Sequence, residues 1–288
     1  MSKLFRWTAI VLTVLGLGFS AASSAFNAVL VPAAVWVGVG FSALAIAVAV
    51  VLLRLLPSWP RGAGPWWVVL ALSWGGGTCM LYPLVAANGV MRLSQATTGD
   101  LFAFSWAGAY PEEIAKAVGV AVVCLSFRRL NRPWHALLVG FVIGLGFEVS
   151  ENILYGAMGA LYDPTSDLSG ALSTWGMRSV AGPLLHACLT ALSGWGVGWA
   201  LFAARRSGAW RFATATSWVL IAFLLHFAWN VQYGSLTVQI VSFVVVSLIV
   251  YPLTAYMFVR AVRAAREDAG GVVVSDRLIT SVDQLPAR

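Results

Sequence analysis

Long apolar runs recur along this chain, each broken by a short polar gap that carries arginines or turn-forming residues. A helix needs about 20 mostly apolar residues to cross the roughly 30 Å hydrocarbon core of a bilayer. Eight stretches meet that length: residues 8–26, 29–53, 66–87, 104–127, 135–156, 180–203, 213–233 and 236–259. The pattern predicts an all-α fold, a polytopic membrane helical bundle of about eight transmembrane helices. It forms one domain over 1–266, followed by a short polar tail over 267–288 that ends near Pro286. The first run also has the marks of a signal peptide, with Lys3 and Arg6 before an apolar core and the small residues Ser20 to Ser24 after it. Its apolarity continues towards the second run, which favours a retained helix. The halves carry no matching broken helices, which weakens a transporter built from inverted repeats.

Composition agrees, since 60% of the residues are hydrophobic and 10% are charged, far from the usage of soluble domains. Tryptophans at the run ends, Trp7, Trp59, Trp66, Trp67, Trp134, Trp175 and Trp210, are expected in interfacial belts. The formal charge of +7 does not point to nucleic acid, because the basic residues lie in short clusters between apolar runs and never form a continuous face. It points instead to topology. With the N-terminus in the cytoplasm, 15 of the 18 Lys and Arg residues fall on that side, leaving Arg92 and Arg178 outside and Lys116 within a run. An inner-membrane protein with both termini cytoplasmic is the expectation. Cys79, Cys124 and Cys188 lie within apolar runs without metal-type spacing and read as small hydrophobes.

Charged side chains at the centre of a bilayer cost about 2.5–3.5 kcal/mol each on insertion scales, so those retained there point to a function. The fourth run carries Glu112, Glu113 and Lys116 after Pro111; the fifth carries Glu148, Glu151 and Asn152; the sixth contains His186; and the seventh contains His226 and Asn230. Counting at 1.5 Å per residue, Glu113, Glu151, His186 and His226 each lie roughly 10 Å below the outer surface. Gly140, Gly144, Phe147 and Glu151 share one stripe, whose GxxxG pair packs against a neighbouring helix. His226 and Asn230 are i and i+4 and address one point.

Blander readings apply to several of these residues. Pro111 followed by two acids fits a helix start, with the acids favoured by the dipole. Lys116 pairs with Glu112 at i,i+4. Glu148, about 60° around the helix from Glu151, reads as mostly structural. His135 belongs to the interface, and Asp163, Asp167 and Arg178 belong to a solvated loop marked by Pro164 and several serines.

Such a cluster supports peptide hydrolysis: a glutamate as base for water, with His and Asn orienting that water or holding an oxyanion. Alternatively His186, His226 and Glu151 bind a divalent metal such as zinc, leaving Glu112 or Glu113 as base. A proton-coupled transporter also uses intramembrane Glu and His, but it needs polar groups on both sides of the midplane, and here they gather on one. A non-catalytic scaffold that binds a partner through its small-residue faces is a third reading.

At these residues the chain resembles the PrsW family of intramembrane proteases, relatives of the CAAX prenyl endopeptidases. The family's EExxK motif matches Glu112, Glu113 and Lys116; its FxxxE motif matches Phe147 and Glu151, with Asn152 following; its two later histidine motifs match His186 and His226. Asn230 stands where the family often has Asp, as the CAAX relatives do, whereas Glu151 and Lys116 follow the PrsW pattern. The resemblance implies an intramembrane metalloprotease with its catalytic core in about 104–233 and a membrane-anchored protein as substrate. Site-one cleavage of anti-sigma factors is the family's known type of role.

Overall fold

The structure, a computed structural model, describes residues 3–203 and 205–269; the predicted tail beyond Ala269, with Arg277, Pro286 and Arg288, lies outside the described residues. Every described element is helical. The helices are α1 (Lys3–Leu30), α2 (Pro32–Leu55), α3 (Trp66–Ser73), α4 (Cys79–Thr98), α5 (Ala103–Ser126), α6 (Pro133–Tyr162), α7 (Asp167–Ala181), α8 (Leu185–Phe202), α9 (Gly208–Asn230) and α10 (Leu236–Ala269). A π-helical turn, Trp74–Thr78, joins α3 to α4. Each of the eight predicted runs falls on a helix or, for 66–87, on this α3–π–α4 unit. Six helices are long and apolar enough to cross a membrane, and the unit bent by 43° between Trp66–Pro83 and Val85–Thr98 makes a seventh. The protein is an integral membrane bundle; α5, as long as α2, differs from those spans in carrying Glu112, Glu113 and Lys116.

At the centre stand α6 and α8, which read as hydrophobic all round and are buried as such helices must be. Their contact is set by glycines. A side chain at Gly140 would strike the Thr190 carbonyl, one at Gly144 the His186 carbonyl, and one at Gly194 the Ala136 carbonyl. Absent side chains let the two backbones approach closely, the packing that lipid-embedded helices use in place of a hydrophobic driving force. Gly75 brings the π-turn equally close to α6 at Ile143, and Gly146 of α6 lies as close to Leu72 at the end of α3. The Trp74 indole donates to the Ala115 carbonyl at 3.1 Å, tying that turn to α5. On the other side of the turn, the Ser20 hydroxyl donates to the Gly76 carbonyl at 2.5 Å and the Thr78 hydroxyl to that of Leu12 at 3.1 Å, which docks α1.

Two expectations change, for residues 167–181 and for three of the tryptophans. Residues 167–181, expected as loop, form α7, started by the Ser166 hydroxyl accepting from the Ser169 N–H at 3.1 Å. In the preceding turn Asp163 accepts from the Thr165 hydroxyl and from the backbone N–H groups of Thr165 and Ser166, which holds its carboxyl below the ordinary range. Pro111 lies inside α5, as the predicted run 104–127 has it, so the blander reading of a helix start there does not hold. Finally, Trp67, Trp134 and Trp175 are buried within the protein, whereas Trp7 and Trp66 are exposed as belt residues should be.

Candidate functional site

Proline has no N–H, so Pro111 leaves the Ala107 carbonyl without its helical partner; Ala107 lines the main cavity next to Glu112. One turn further, Lys116 is fully buried and donates to Glu112 Oε2 at 3.0 Å and to Glu113 Oε1 at 2.9 Å. The predicted i,i+4 pair is therefore one half of a fork. The same ammonium lies 3.1 Å from His186 Nδ1 and 4.0 Å from the centre of the Phe147 ring.

That contact fixes the His186 tautomer. An ammonium only donates, so Nδ1 must accept and the proton sits on Nε2. From there it faces Glu151 Oε2 at 3.1 Å. Arg178, projecting from α7, grips the far side of this acid: its guanidinium donates to Glu151 Oε2 and to Asn152 Oδ1 and stacks 4.4 Å over the Tyr155 ring. Glu148 has its own task. Its Oε2 accepts the His186 N–H at 3.1 Å and the Ala187 N–H at 3.5 Å, capping the first turn of α8 from a neighbouring helix. The α8 start is set by Leu184, whose φ of 57° turns the chain into the helix.

His226 on α9 gives the opposite tautomer. Nδ1 is 2.9 Å from Glu113 Oε1, a carboxylate, so Nδ1 carries the proton and Nε2 accepts from the Asn230 side chain at 3.2 Å. The two rings meet edge to face, 4.9 Å between centroids. Both histidines thus turn an unprotonated nitrogen inward and have the outer N–H held by an acid, Glu151 in one case and Glu113 in the other. Carboxylates hold metal-ligating imidazoles in this way.

The cluster opens onto a cavity of about 710 Å³ bounded by α1, α4, α5, α6, α7, α8 and α9. Glu112, Glu151, His186, His226 and Asn230 line it; Glu113 and Lys116 stand behind. Donor atoms of Glu112, Glu113, His186 and His226 all lie within 4.8 Å of one another. Glu113 Oε2 is buried with no hydrogen-bond partner among the described residues. Two imidazole nitrogens and two carboxylates, one of them with an unpaired oxygen, make a donor set that suits zinc.

All the residues singled out in the sequence therefore meet here. Glu112, Glu113, Glu151, His186, His226 and Asn230 line or adjoin one space, with Lys116, Phe147 and Asn152 in support. Sequence reasoning missed Arg178 and the cap made by Glu148. Arg178 did carry a signal, as one of two basic residues on the side otherwise free of them.

A family model described as PrsW family intramembrane metalloprotease matches residues 63–257. No curated protein and no solved structure matches the chain.

Proposed function

Because the chain belongs to the PrsW family and is an intramembrane metalloprotease acting on a membrane protein, we propose that Glu112 is the base of its peptide-bond hydrolysis and that His186 and His226 are the imidazole donors of the site. The observation that carries this choice is the division of labour between the two neighbouring acids. Glu112 faces the cavity, whereas Glu113 is 1% exposed and is committed to Lys116 and His226. Of these two acids, only Glu112 is placed to take a proton from a water in the cavity. Lys116 holds the Glu112 carboxylate in position, and the Asn230 amide, bonded to His226, adds a neutral donor for a developing oxyanion. Glu151 sits one layer back as the acid that orients His186, with Arg178 behind it.

His186, His226 and a carboxylate of the Glu112–Glu113 pair would hold zinc once His186 Nδ1 and His226 Nε2 give up their bonds to Lys116 and Asn230, and the ion would supply a Lewis acid and a water of lowered pKa. Residues 104–233 form the catalytic core. The excess of arginines at one end of the bundle supports an inner-membrane protein with both termini cytoplasmic and a site below the outer face. A single-pass, anti-sigma-factor-type protein cut near that face is the substrate we favour, and Asn230 closing the last motif supports kinship with CAAX prenyl endopeptidases. Co-expression with such a tagged protein tests the reading. Cleavage by the unaltered chain is expected to disappear in Glu112→Gln, Glu151→Gln and His226→Ala; cleavage that persists in all three variants refutes it.

A further inference from the structure

The wall of the cavity opposite the acids is polar without any role in the chemistry described. Thr13, Gly16, Ser20, Ser23 or Ser24, and Asn27 recur at three- and four-residue steps along one face of α1. The first half of that stripe is used in packing: Thr13 turns its hydroxyl back onto the Ala9 carbonyl at 2.8 Å, Gly16 rests on Gly77 and Thr78, and Ser20 bonds Gly76. Beyond Ser20 the stripe leaves the π-turn and faces the cavity, which Ser23, Ser24 and Asn27 line together with Glu112 and His186. None of these three side chains has a hydrogen-bond partner among the described residues. Asn27 is 9% exposed and lines the space, so its amide turns a donor and an acceptor to the cavity with neither bonded to a described residue.

Once a substrate fills the cavity and displaces water, an amide left without a partner there costs about 1–3 kcal/mol. We propose that the α1 seam Ser23–Ser24–Asn27 is the docking site for the peptide backbone of an unwound substrate segment, an inference that rests on the protease reading above. In lipid every backbone N–H and C=O must be satisfied. A membrane helix opened for hydrolysis therefore exposes donors and acceptors that the enzyme must meet. The seam supplies them in kind, with two hydroxyls that donate or accept and one amide that does both. From Ser23 to Asn27 is four residues, about 6 Å along α1, which matches roughly two residues of extended chain and the amides that flank them. Its near end reaches the catalytic helix: a side chain on Gly76, which accepts from Ser20, would lie 2.6 Å from the Ser150 hydroxyl, next to Glu151. The cavity's methionines, Met80, Met91, Met158 and Met177, adapt to varied side chains. The seam thus reads the main chain and leaves the side-chain requirement loose.

A backbone-specific double-mutant cycle tests this. The probes are a synthetic single-pass peptide of about 25 residues with an Ala-Ser-Gly segment towards one end, and its analogue with three adjacent amides of that segment replaced by esters. Binding is measured in proteoliposomes with Glu112→Gln protein. The ester probe is expected to bind about tenfold more weakly than the amide probe. With Asn27→Leu, Ser23→Ala and Ser24→Ala added, the amide probe weakens and the ratio falls to about one. Asn27→Ala alone, a milder change that keeps the helix, gives a ratio in between. The same ratio in both backgrounds, a ratio near one with the seam intact, or no binding of the amide probe overturns the proposal. Hydrolysis of the amide probe by the unaltered protein is read in parallel. Backbone-sensitive binding without hydrolysis refutes the protease reading and leaves the seam standing, whereas hydrolysis with equal binding of both probes refutes the seam alone.

Discussion

Gly144→Ala tests whether the α6–α8 contact positions the chemistry or only holds the bundle. A Cβ at Gly144 would lie 2.6 Å from both the His186 carbonyl carbon and Ala187 Cα, and closer still to the His186 oxygen. Relaxed carbon contacts fall at roughly 3.5–4.0 Å, so the start of α8 must retreat by about 1 Å. His186 moves with it, away from Glu151 at 3.1 Å and Lys116 at 3.1 Å. Overpacking of this kind costs about 1–3 kcal/mol of stability, and a displacement of about 1 Å at a reacting group lowers turnover by about 100-fold.

Gly194→Ala is the control. It crowds the same interface, 3.2 Å from the Ala136 carbonyl carbon and 3.3 Å from Gly140 Cα, but lies eight residues, about 12 Å, further along α8 from His186. Thermal midpoints and cleavage rates of both variants in one detergent decide the matter. Both are expected to lose stability, whereas only Gly144→Ala loses about 100-fold in kcat. Equal losses of activity in the two, or full activity in Gly144→Ala, refute the claim that this glycine sets the position of His186.

Glu112→Gln is expected to abolish hydrolysis and to lower the thermal midpoint, since its pair with Lys116 is buried; Glu113→Gln loses activity and more stability, about 3–5 kcal/mol, because it weakens a buried pair with Lys116 and also the bond to His226, an order that denaturation alongside activity assays reads directly. Arg178→Ala should lower kcat about tenfold with little change in KM, as a positioning residue acting through Glu151, with Arg178→Lys recovering part of the loss; no recovery together with an equal rise in KM counts against that role. Chelation should abolish cleavage and zinc restore it, and elemental analysis should find about one metal per chain, falling in His186→Ala.

The sequence made the spans legible because lipid imposes a length and an apolarity on any crossing helix, and all eight runs landed on helices. The site was legible for a related reason. Charge is so costly in lipid that Glu113, Glu151, His186 and His226 could be singled out one by one and then matched by depth. Position within the bundle was less legible. Trp67 and Trp134 end apolar runs as belt residues do, yet they are buried, because hydrophobicity does not separate lipid from protein interior. Pro111 before two acids also fits a helix start, but the apolar run 104–127 that passes through it is what forms, because Lys116 neutralises those acids in a fork. Helix α7 is 15 residues long, too short to span, and polar enough to pass for a loop despite Ser166 at its N-cap. Choosing between Glu112 and Glu113 was out of reach, since one residue is about 100° of helical phase and only the neighbours say which face is the cavity.

Glu148 gives the last test, through charge balance. Four carboxylates, Glu112, Glu113, Glu148 and Glu151, surround two cations, Lys116 and Arg178, giving an excess of two negative charges when all are ionised. A divalent ion matches that excess, which favours a metal over a purely acid–base site in a setting where uncompensated charge is expensive. Glu148 is outside the group of four close donors, so it acts on an ion through its charge alone. Glu148→Gln keeps an oxygen to accept the His186 N–H and removes one negative charge. With an effective dielectric near 20, losing that charge should weaken zinc binding by about one to two powers of ten, without changing the number of ions bound. Competition titration against a fluorescent chelator measures both quantities. An unchanged zinc affinity in Glu148→Gln, with Glu112→Gln also unchanged, would show that the excess charge is balanced by protons and that the cluster is not the metal site.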